Sequence, residues 1–333
     1  MWRKIIRTIK HHHKFLLTSH VNPDCDALGS ELALGEHLET LGKDVTIINS
    51  DATNRTYRFL DPANKIKRYS GTKHASKIKK AEVIMVLDAS GGWSRLGPVG
   101  QALSQSKAVK ICIDHHPDHE DFVDLAVIDP DAAATGELIF YLIKTMNGSL
   151  SKNMAIALYA ALLTDTGSFR FPKTSPQTHH IAAELLSRGA NPLEIHSRLY
   201  EQNSLNLVRI KGHIMDTVKT ADGGQIAYYS LTQNTLRSYG VKSSELEGVP
   251  SLGQQIEGVR ISVFCMETLQ GQVKVSLRSD GSVPINQIAL EYGGGGHPSA
   301  AGAIISGQLE PIMAELVKKT TALLQVAPSS HQI

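Results

Sequence analysis

The sequence predicts an α/β fold, with a doubly wound parallel sheet in the N-terminal part. A smaller C-terminal α/β domain with a mixed sheet follows, joined by a helical linker. Three observations carry this. Short β-rich apolar runs at residues 15–18, 83–87 and 109–113 alternate with helix-like segments, the pattern of βαβ units around a buried parallel sheet. Each of these runs ends in acidic or imidazole residues. Beyond residue 220 the pattern changes to strand-like runs with glycine-containing turns.

Taken in order, residues 27–41 read as a helix with Leu28, Leu32, Leu34 and Leu38 on or near one face and Gly42 as its stop. Residues 45–49 read as the next strand, so the connection is a strand–helix–strand crossover. Residues 135–147, 153–163 and 177–188 read as helices. Gly189-Ala190-Asn191-Pro192 is a break, because Gly ends a helix and Pro opens the next. A helical connector over 193–218 follows, then a turn at Ala221-Asp222-Gly223-Gly224. Strands at 225–230, 260–266 and 272–278, a glycine-rich segment at 293–297 and a C-terminal helix at 309–324 complete the chain. The expected domains are 1–190 and 216–333, with a linker at 191–215.

The 333 residues, 41% of them hydrophobic, suffice for two cores. A formal net charge of +2 is close to balanced, so it argues neither for a long duplex nucleic acid as partner nor against a small anionic ligand, and no long duplex partner is expected. Three cysteines (Cys25, Cys112, Cys265) form no disulfide framework, and Cys112 and Cys265 lie in apolar runs, so a reducing cytoplasm is expected. The N-terminal residues have no signal-peptide apolar region, and no run approaches membrane-spanning length. His11-His12-His13 reads as a solvated helix end, because no neighbouring ligand spacing supports a metal site.

Ser19-His20-Val21-Asn22-Pro23-Asp24-Cys25-Asp26 follows the first strand, Asp88 the second of the three runs, and Asp114-His115-His116 the third. In a parallel sheet these strand ends share the carboxyl edge, where ligands bind. Asp24 and Asp26 are two residues apart, so a loop, rather than a helix face, is expected to aim both at one point. Carboxylates with a few imidazoles suit Mn²⁺, Mg²⁺ or Fe²⁺, and the lack of paired thiolates argues against structural zinc. Cys25 is expected to point away, as alternate residues of an extended segment do. Asp165 ends an apolar helix against the dipole, which favours a compensated ligand in a structured loop before Phe169-Arg170-Phe171. The competing reading is ordinary: Asp24 and Asp26 cap the helix, and Asp114-His115-His116 is a polar loop.

These motifs resemble the DHH phosphoesterase superfamily over nearly the whole chain. The ordered set is His20-Val21-Asn22-Pro23-Asp24-Cys25-Asp26, Asp88, Asp114-His115-His116 and Thr164-Asp165-Thr166-Gly167. Gly293-Gly294-Gly295-Gly296-His297 with Pro298-Ser299-Ala300-Ala301-Gly302 resembles the associated DHHA1 domain. The layout and Arg278-Ser279-Asp280-Gly281 are similar to the bifunctional oligoribonuclease/PAP phosphatase group, the nanoRNases of the NrnA type. Cys25 stands where that family usually has Gly.

The resemblance implies two divalent cations, Mn²⁺ first with Mg²⁺ or Co²⁺ as alternatives. His20, Asp24 and Asp88 would hold one; Asp26, Asp88, His115 and Asp165 would hold the other. It also implies His116 at the scissile phosphate, oriented by Asp114. Domain 216–333 would hold the rest of the substrate through Gly294, Gly295, Gly296, His297 and Arg278, with Arg95 and Arg170 as further candidates. Implied substrates are very short RNA, 3′-phosphoadenosine 5′-phosphate, and linear or cyclic dinucleotides; a homodimer is the implied assembly.

Three alternatives stand beside this reading. A pyrophosphatase sharing the metal domain would lack the Gly-His segment. A single-strand DNA exonuclease of the RecJ kind would want further domains and a basic groove. A nucleotide-binding regulator without catalysis would be expected to have lost ligands.

Overall fold

The computed structural model describes residues 2–117, 119–246 and 248–326. The chain divides into two compact units, Met1–Gln202 and Asn203–Ile333. The last residues of the expected 216–333 domain, 327–333, lie outside the described part.

The first unit runs α1 (Arg3–His11), β1 (Lys14–Thr18), α2 (Cys25–Thr40), β2 (Asp44–Asn49), β3 (Ile66–Arg68), α3 (Gly71–Lys80), β4 (Val83–Leu87), α4 (Pro98–Ser104), β5 (Val109–Asp114), β6 (Leu125–Ile128), α5 (Thr135–Thr145), α6 (Lys152–Asp165), α7 (Pro176–Ser187) and α8 (Pro192–Tyr200). Its sheet has the order β3-β2-β1-β4-β5-β6, with every pairing parallel. The apolar runs are continuous because both faces are covered. Phe15, Leu17, Met85 and Ile113 pack on the side of α2, α5 and α6, while Leu16, Ile84, Val86 and Cys112 pack on the side of α3 and α4. β1 is central, and the strand order reverses between it and β4. Such a switch point opens a crevice at the carboxyl edge.

Helix α2 departs from the one-face expectation. It is buried on nearly every side from Cys25 to Leu38, with Leu32 and Glu36 only half-covered, because the sheet lies on one side and α5 and α6 on the other. It also starts earlier, at Cys25 rather than residue 27. Cys25 is therefore turned into the core by helix geometry, not by strand alternation.

The second unit runs α9 (Leu205–Asp216), β7 (Lys219–Ala221), β8 (Ile226–Leu231), α10 (Gln233–Tyr239), β9 (Ile261–Glu267), β10 (Gln272–Ser279), α11 (Asn286–Glu291), β11 (Gly295–His297), β12 (Ala300–Ser306) and α12 (Leu309–Val326). Its sheet, β11-β12-β10-β9-β8-β7, is mixed: β8 and β9 are parallel and the other pairs antiparallel. Alternate residues feed two cores, Val263, Cys265 and Val275 toward α11 and α12, and Tyr229, Phe264 and Met266 toward α9 and α10. The connector expected as one helix over 193–218 is two, α8 and α9, one in each unit. The glycine segment expected as a turn or cradle leads into β11, an edge strand.

Candidate metal centre

Six side chains from four connections converge at the carboxyl edge of the first sheet. His20 lies near the start of the loop after β1. Its Nδ1 meets the Val21 carbonyl at 2.8 Å, and its Nε2 faces Asp88 Oδ2 at 3.6 Å and Asp24 Oδ2 at 3.9 Å. Asp24 is the N-cap of α2: Oδ1 accepts from the Asp26 and Ala27 N–H groups, which leaves Oδ2 for His20. Asp26 lies in the first turn of the same helix, and not beside Asp24 in a loop as expected. The capping reading and the ligand reading therefore coexist in one carboxylate.

Asp26 is almost fully buried and sits against the N-terminus of α5. Its oxygens accept from Thr135 N–H at 2.7 Å and Gly136 N–H at 2.8 Å, where the helix dipole favours negative charge. Residue 136 must be small, because a Cβ there would come within 2.8 Å of the Ala161 side chain and 3.2 Å of Asp26 Oδ1.

Asp88, 2% exposed, follows β4 with φ of +59°. A left-handed backbone is costly for a residue other than glycine and is held only by its surroundings. Here its N–H donates to the Ile113 carbonyl, and the Thr135 hydroxyl donates to its Oδ1 at 2.9 Å. Asp88 faces both imidazoles: His20 through Oδ2, and His115 Nε2 through Oδ1 at 3.7 Å.

His115 repeats the arrangement of His20. Nδ1 donates to the Ala132 carbonyl at 3.2 Å, and Nε2 faces Asp165 Oδ2 at 3.1 Å and Asp26 Oδ2 at 3.9 Å. Fixing Nδ1 on a backbone carbonyl presents Nε2 as a ligand atom, the usual support of a metal-binding histidine. Asp165 is the last residue of α6, and the loop behind it holds Ser168 and Phe169 in the costly left-handed region, next to Gly167, which adopts it freely. Asp114 is fully buried and its oxygens are occupied by the N–H groups of Ser90, His115 and His116 and by His116 Nδ1 at 2.7 Å. It is placed to orient His116.

The electrostatics follow from crowding carboxylates out of water. Burial and the charges of Asp88 and Asp165 push the Asp26 carboxyl well above its usual range; burial and Asp88 and Asp24 do the same to Asp165. Burial would lower His20, but its hydrogen bond with Asp88 and the charges of Asp24 and Asp88 hold it at about 9. His116 is likewise held at about 9, where Asp114 and Asp88 outweigh burial. For Asp88 the His20 hydrogen bond and the charges of His116, His20 and His115 overcome burial and keep the carboxyl well below its usual range. The cluster gathers positive charge. Three groups of donor atoms could each hold a cation: His20, Asp24 and Asp88; Asp26, His115 and Asp165; and Asp88, Asp114, His115 and His116. Oxygen and imidazole donors without thiolate fit divalent cations such as Mn²⁺ and Mg²⁺.

The expected substrate residues fall in both units. Arg95 is exposed, in a short 3₁₀ segment (Trp93–Leu96) after β4, and its carbonyl accepts from Val21 N–H beside His20. Arg170 is exposed in the loop after Asp165, with its guanidinium over the Phe171 ring. In the second unit, Arg278 on β10, Ala300 on β12 and His297 on β11 stand directly opposite one another; Ser276, Gly302 and Gly295 form the next row on the same face. Arg278 and His297 thus rise beside a floor of small residues. Gly294 and Gly296 are demanded by the sheet itself, since a Cβ would lie 2.1 Å from the Gly302 oxygen and 2.4 Å from the Ala300 oxygen; at Gly295 nothing lies within 4 Å.

The DHH family N-terminal domain model matches residues 14–162, and the DHHA1 domain model matches 223–325. A bifunctional oligoribonuclease and PAP phosphatase NrnA from Bacillus subtilis is 30% identical over 95% of this chain and 97% of its own. This chain belongs to the DHH family. A second NrnA, from Thermus thermophilus, is 34% identical over 87% of this chain and 84% of its own. The crystal structure of an exopolyphosphatase-related protein from Bacteroides fragilis superposes with a TM-score of 0.92 at 29% identity, covering 97% of this chain and 96% of that one. As a DHH phosphoesterase with these domains, the chain is a metal-dependent hydrolase of phosphoester bonds. Asp165 lies just past the residues matched by the DHH model.

Sequence reasoning missed Thr135, which donates to Asp26, Asp88 and Asp114, and the pair Glu31–Asn49. Asn49 donates to the buried Glu31 and accepts from Ser19 N–H, beside His20.

Proposed function

We propose that this protein hydrolyses short oligoribonucleotides to mononucleotides and 3′-phosphoadenosine 5′-phosphate to AMP. The observation that carries the reading is Asp88, facing both supported imidazoles and so standing between two groups of ligand atoms. The names of the two relatives favour the substrates. Residues 1–190 would form the catalytic domain, 191–215 the linker and 216–333 the substrate domain.

One cation would be held by His20, Asp24 and Asp88, and the other by Asp26, Asp88, His115 and Asp165, with Mn²⁺ the first choice. Two divalent cations supply an acidified water and offset the charge of the phosphoryl oxygens. The protein groups do the rest. Nδ1 of His116 is engaged by Asp114, so the ring would address the scissile phosphate or the leaving oxygen through Nε2. Arg278 and His297 would pair with the substrate's distal phosphate, while Gly295 lets a base or phosphate approach the backbone. Arg95 and Arg170 are available to neutralise phosphate from the first unit. The near-balanced charge favours a short substrate over a long track of phosphates. Cys25, Cys112 and Cys265 are buried thiols, which fits a reducing cytoplasm, and among the described residues no helix is long and apolar enough to cross a membrane.

Phosphate release from 3′-phosphoadenosine 5′-phosphate, and mononucleotide release from an RNA trinucleotide, should both require Mn²⁺ or Mg²⁺. Failure of both under saturating metal would overturn the reading and favour a nucleotide-binding regulator.

A further inference from the structure

We propose that the groove beside α1 is a second binding site, for a phosphorylated nucleoside, separate from the metal centre. Trp2, Arg3, Ile6, Arg7, Lys10 and Thr145 line an open, shallow groove of about 590 Å³. Arg3, Arg7 and Lys10 recur at the spacing of one helix face and are exposed. Among the described residues none of the three side chains has a hydrogen-bond or ion-pair partner. No acidic residue lines the groove, and none precedes Asp24 in the sequence, a stretch that holds Arg3, Lys4, Arg7, Lys10 and Lys14.

This arrangement works against the helix. Arg3 and Arg7 are like charges one turn apart, which repel. Arg3 and Lys4 occupy the first turn, where the dipole disfavours cations and where α1 has no acidic residue. Local rules broken without a compensating contact mark functional positions. A bound anion would relieve both penalties.

The apolar half of the groove says which anion. Trp2 and Ile6 pack against the core on one side and are half-exposed on the other, where they line the groove with Arg3 and Arg7, so a base can pack on the indole while a phosphate takes paired hydrogen bonds from arginine. Inorganic phosphate would use only the cations. A membrane surface fits less well, since Ile5 and Ile9 are 1% and 0% exposed and committed to the core, which leaves no apolar helix face to insert.

Helix α5 separates the two sites. It starts at Thr135, bonded to Asp26 and Asp88, and ends at Thr145 in the groove, a rise of about 15 Å through the protein. One mononucleotide cannot touch both ends.

Trp2 and Trp93 are the two tryptophans of the chain, so in Trp93→Phe the fluorescence reports Trp2 alone. With EDTA present to keep the metal centre unloaded, AMP should quench Trp2 saturably with a Kd below about 1 mM. Adenosine or inorganic phosphate alone should bind more weakly. Arg7→Glu in the Trp93→Phe background should weaken AMP binding by about tenfold or more, with Mn²⁺-dependent turnover the same as in its parent, which also reports an intact fold. No saturable quench, an unchanged Kd in Arg7→Glu, or a response only to phosphatidylglycerol vesicles would overturn the proposal. None of these outcomes bears on turnover at the metal centre, which the substrate assay reads separately.

Discussion

The Thr135 hydroxyl donates to Asp88 Oδ1 across 2.9 Å, while the same residue's N–H holds Asp26 Oδ2 at 2.7 Å. A single residue at the start of α5 thus orients one acidic side chain from each of two strand-end connections. Thr135→Val keeps the shape and removes the hydroxyl. The Mn²⁺ concentration for half-maximal turnover should rise by about 10- to 100-fold, the usual cost of losing a partner that orients a ligand, and Thr135→Ser should restore it. An unchanged metal dependence would show that Asp88 is positioned by its backbone alone.

Asp88 faces both imidazoles, so its loss should be felt by both cations. Asp88→Ala should reduce bound Mn²⁺ from two per chain to none under conditions that saturate the native protein, as counted by elemental analysis. Turnover should fall by about 10³-fold or more, since the loss includes several kcal/mol of charge stabilisation. Retention of one tightly held cation would contradict the shared role.

Adjacent glycines should respond differently. Gly294→Ala forces a Cβ to 2.1 Å from the Gly302 oxygen and should destabilise the second unit by about 1–3 kcal/mol, read as a lower melting temperature. Gly295→Ala meets nothing within 4 Å, so the melting temperature should hold while KM rises. Equal KM values for Gly295→Ala and the native chain would remove the glycine floor from the substrate site.

Glu31 gives a stability prediction with a definite sign. Burial pushes its carboxyl up to about 8, against lowering by the Asn49 hydrogen bond. Folded Glu31 keeps its proton while the unfolded chain releases it, so its contribution is fully present below about pH 4.5 and is lost as pH rises to about 8. The slope is at most on the order of 1 kcal/mol per pH unit. Glu31→Gln cannot ionise; in metal-free buffer its melting temperature should gain on the native protein's between pH 5 and 8. Parallel curves would mean that Glu31 titrates normally.

Much of this was legible in the sequence because the signals are local. Continuous apolar runs such as 83–87 require cover on both faces, and acidic residues straight after them must lie at one sheet edge. The short strands β3, β6, β7 and β11 were not legible, since three or four residues carry no periodicity. The start of α2 was misplaced because Asp24 does two things at once: its Oδ1 caps the helix and its Oδ2 faces His20. Thr135 and the Glu31–Asn49 pair escaped notice because their partners are distant in sequence and a lone Thr, Glu or Asn has no signature. The Gly294 and Gly296 requirement was read as ligand space, whereas the neighbouring strand β12 already demands it.

The most direct test of the account is the initial rate of Mn²⁺-dependent mononucleotide release from a 5′-labelled RNA trinucleotide, set against a long RNA oligomer of the same composition. The account predicts rapid cleavage of the trinucleotide with the long strand spared. Preference for the long strand would contradict it and point to a processive exonuclease.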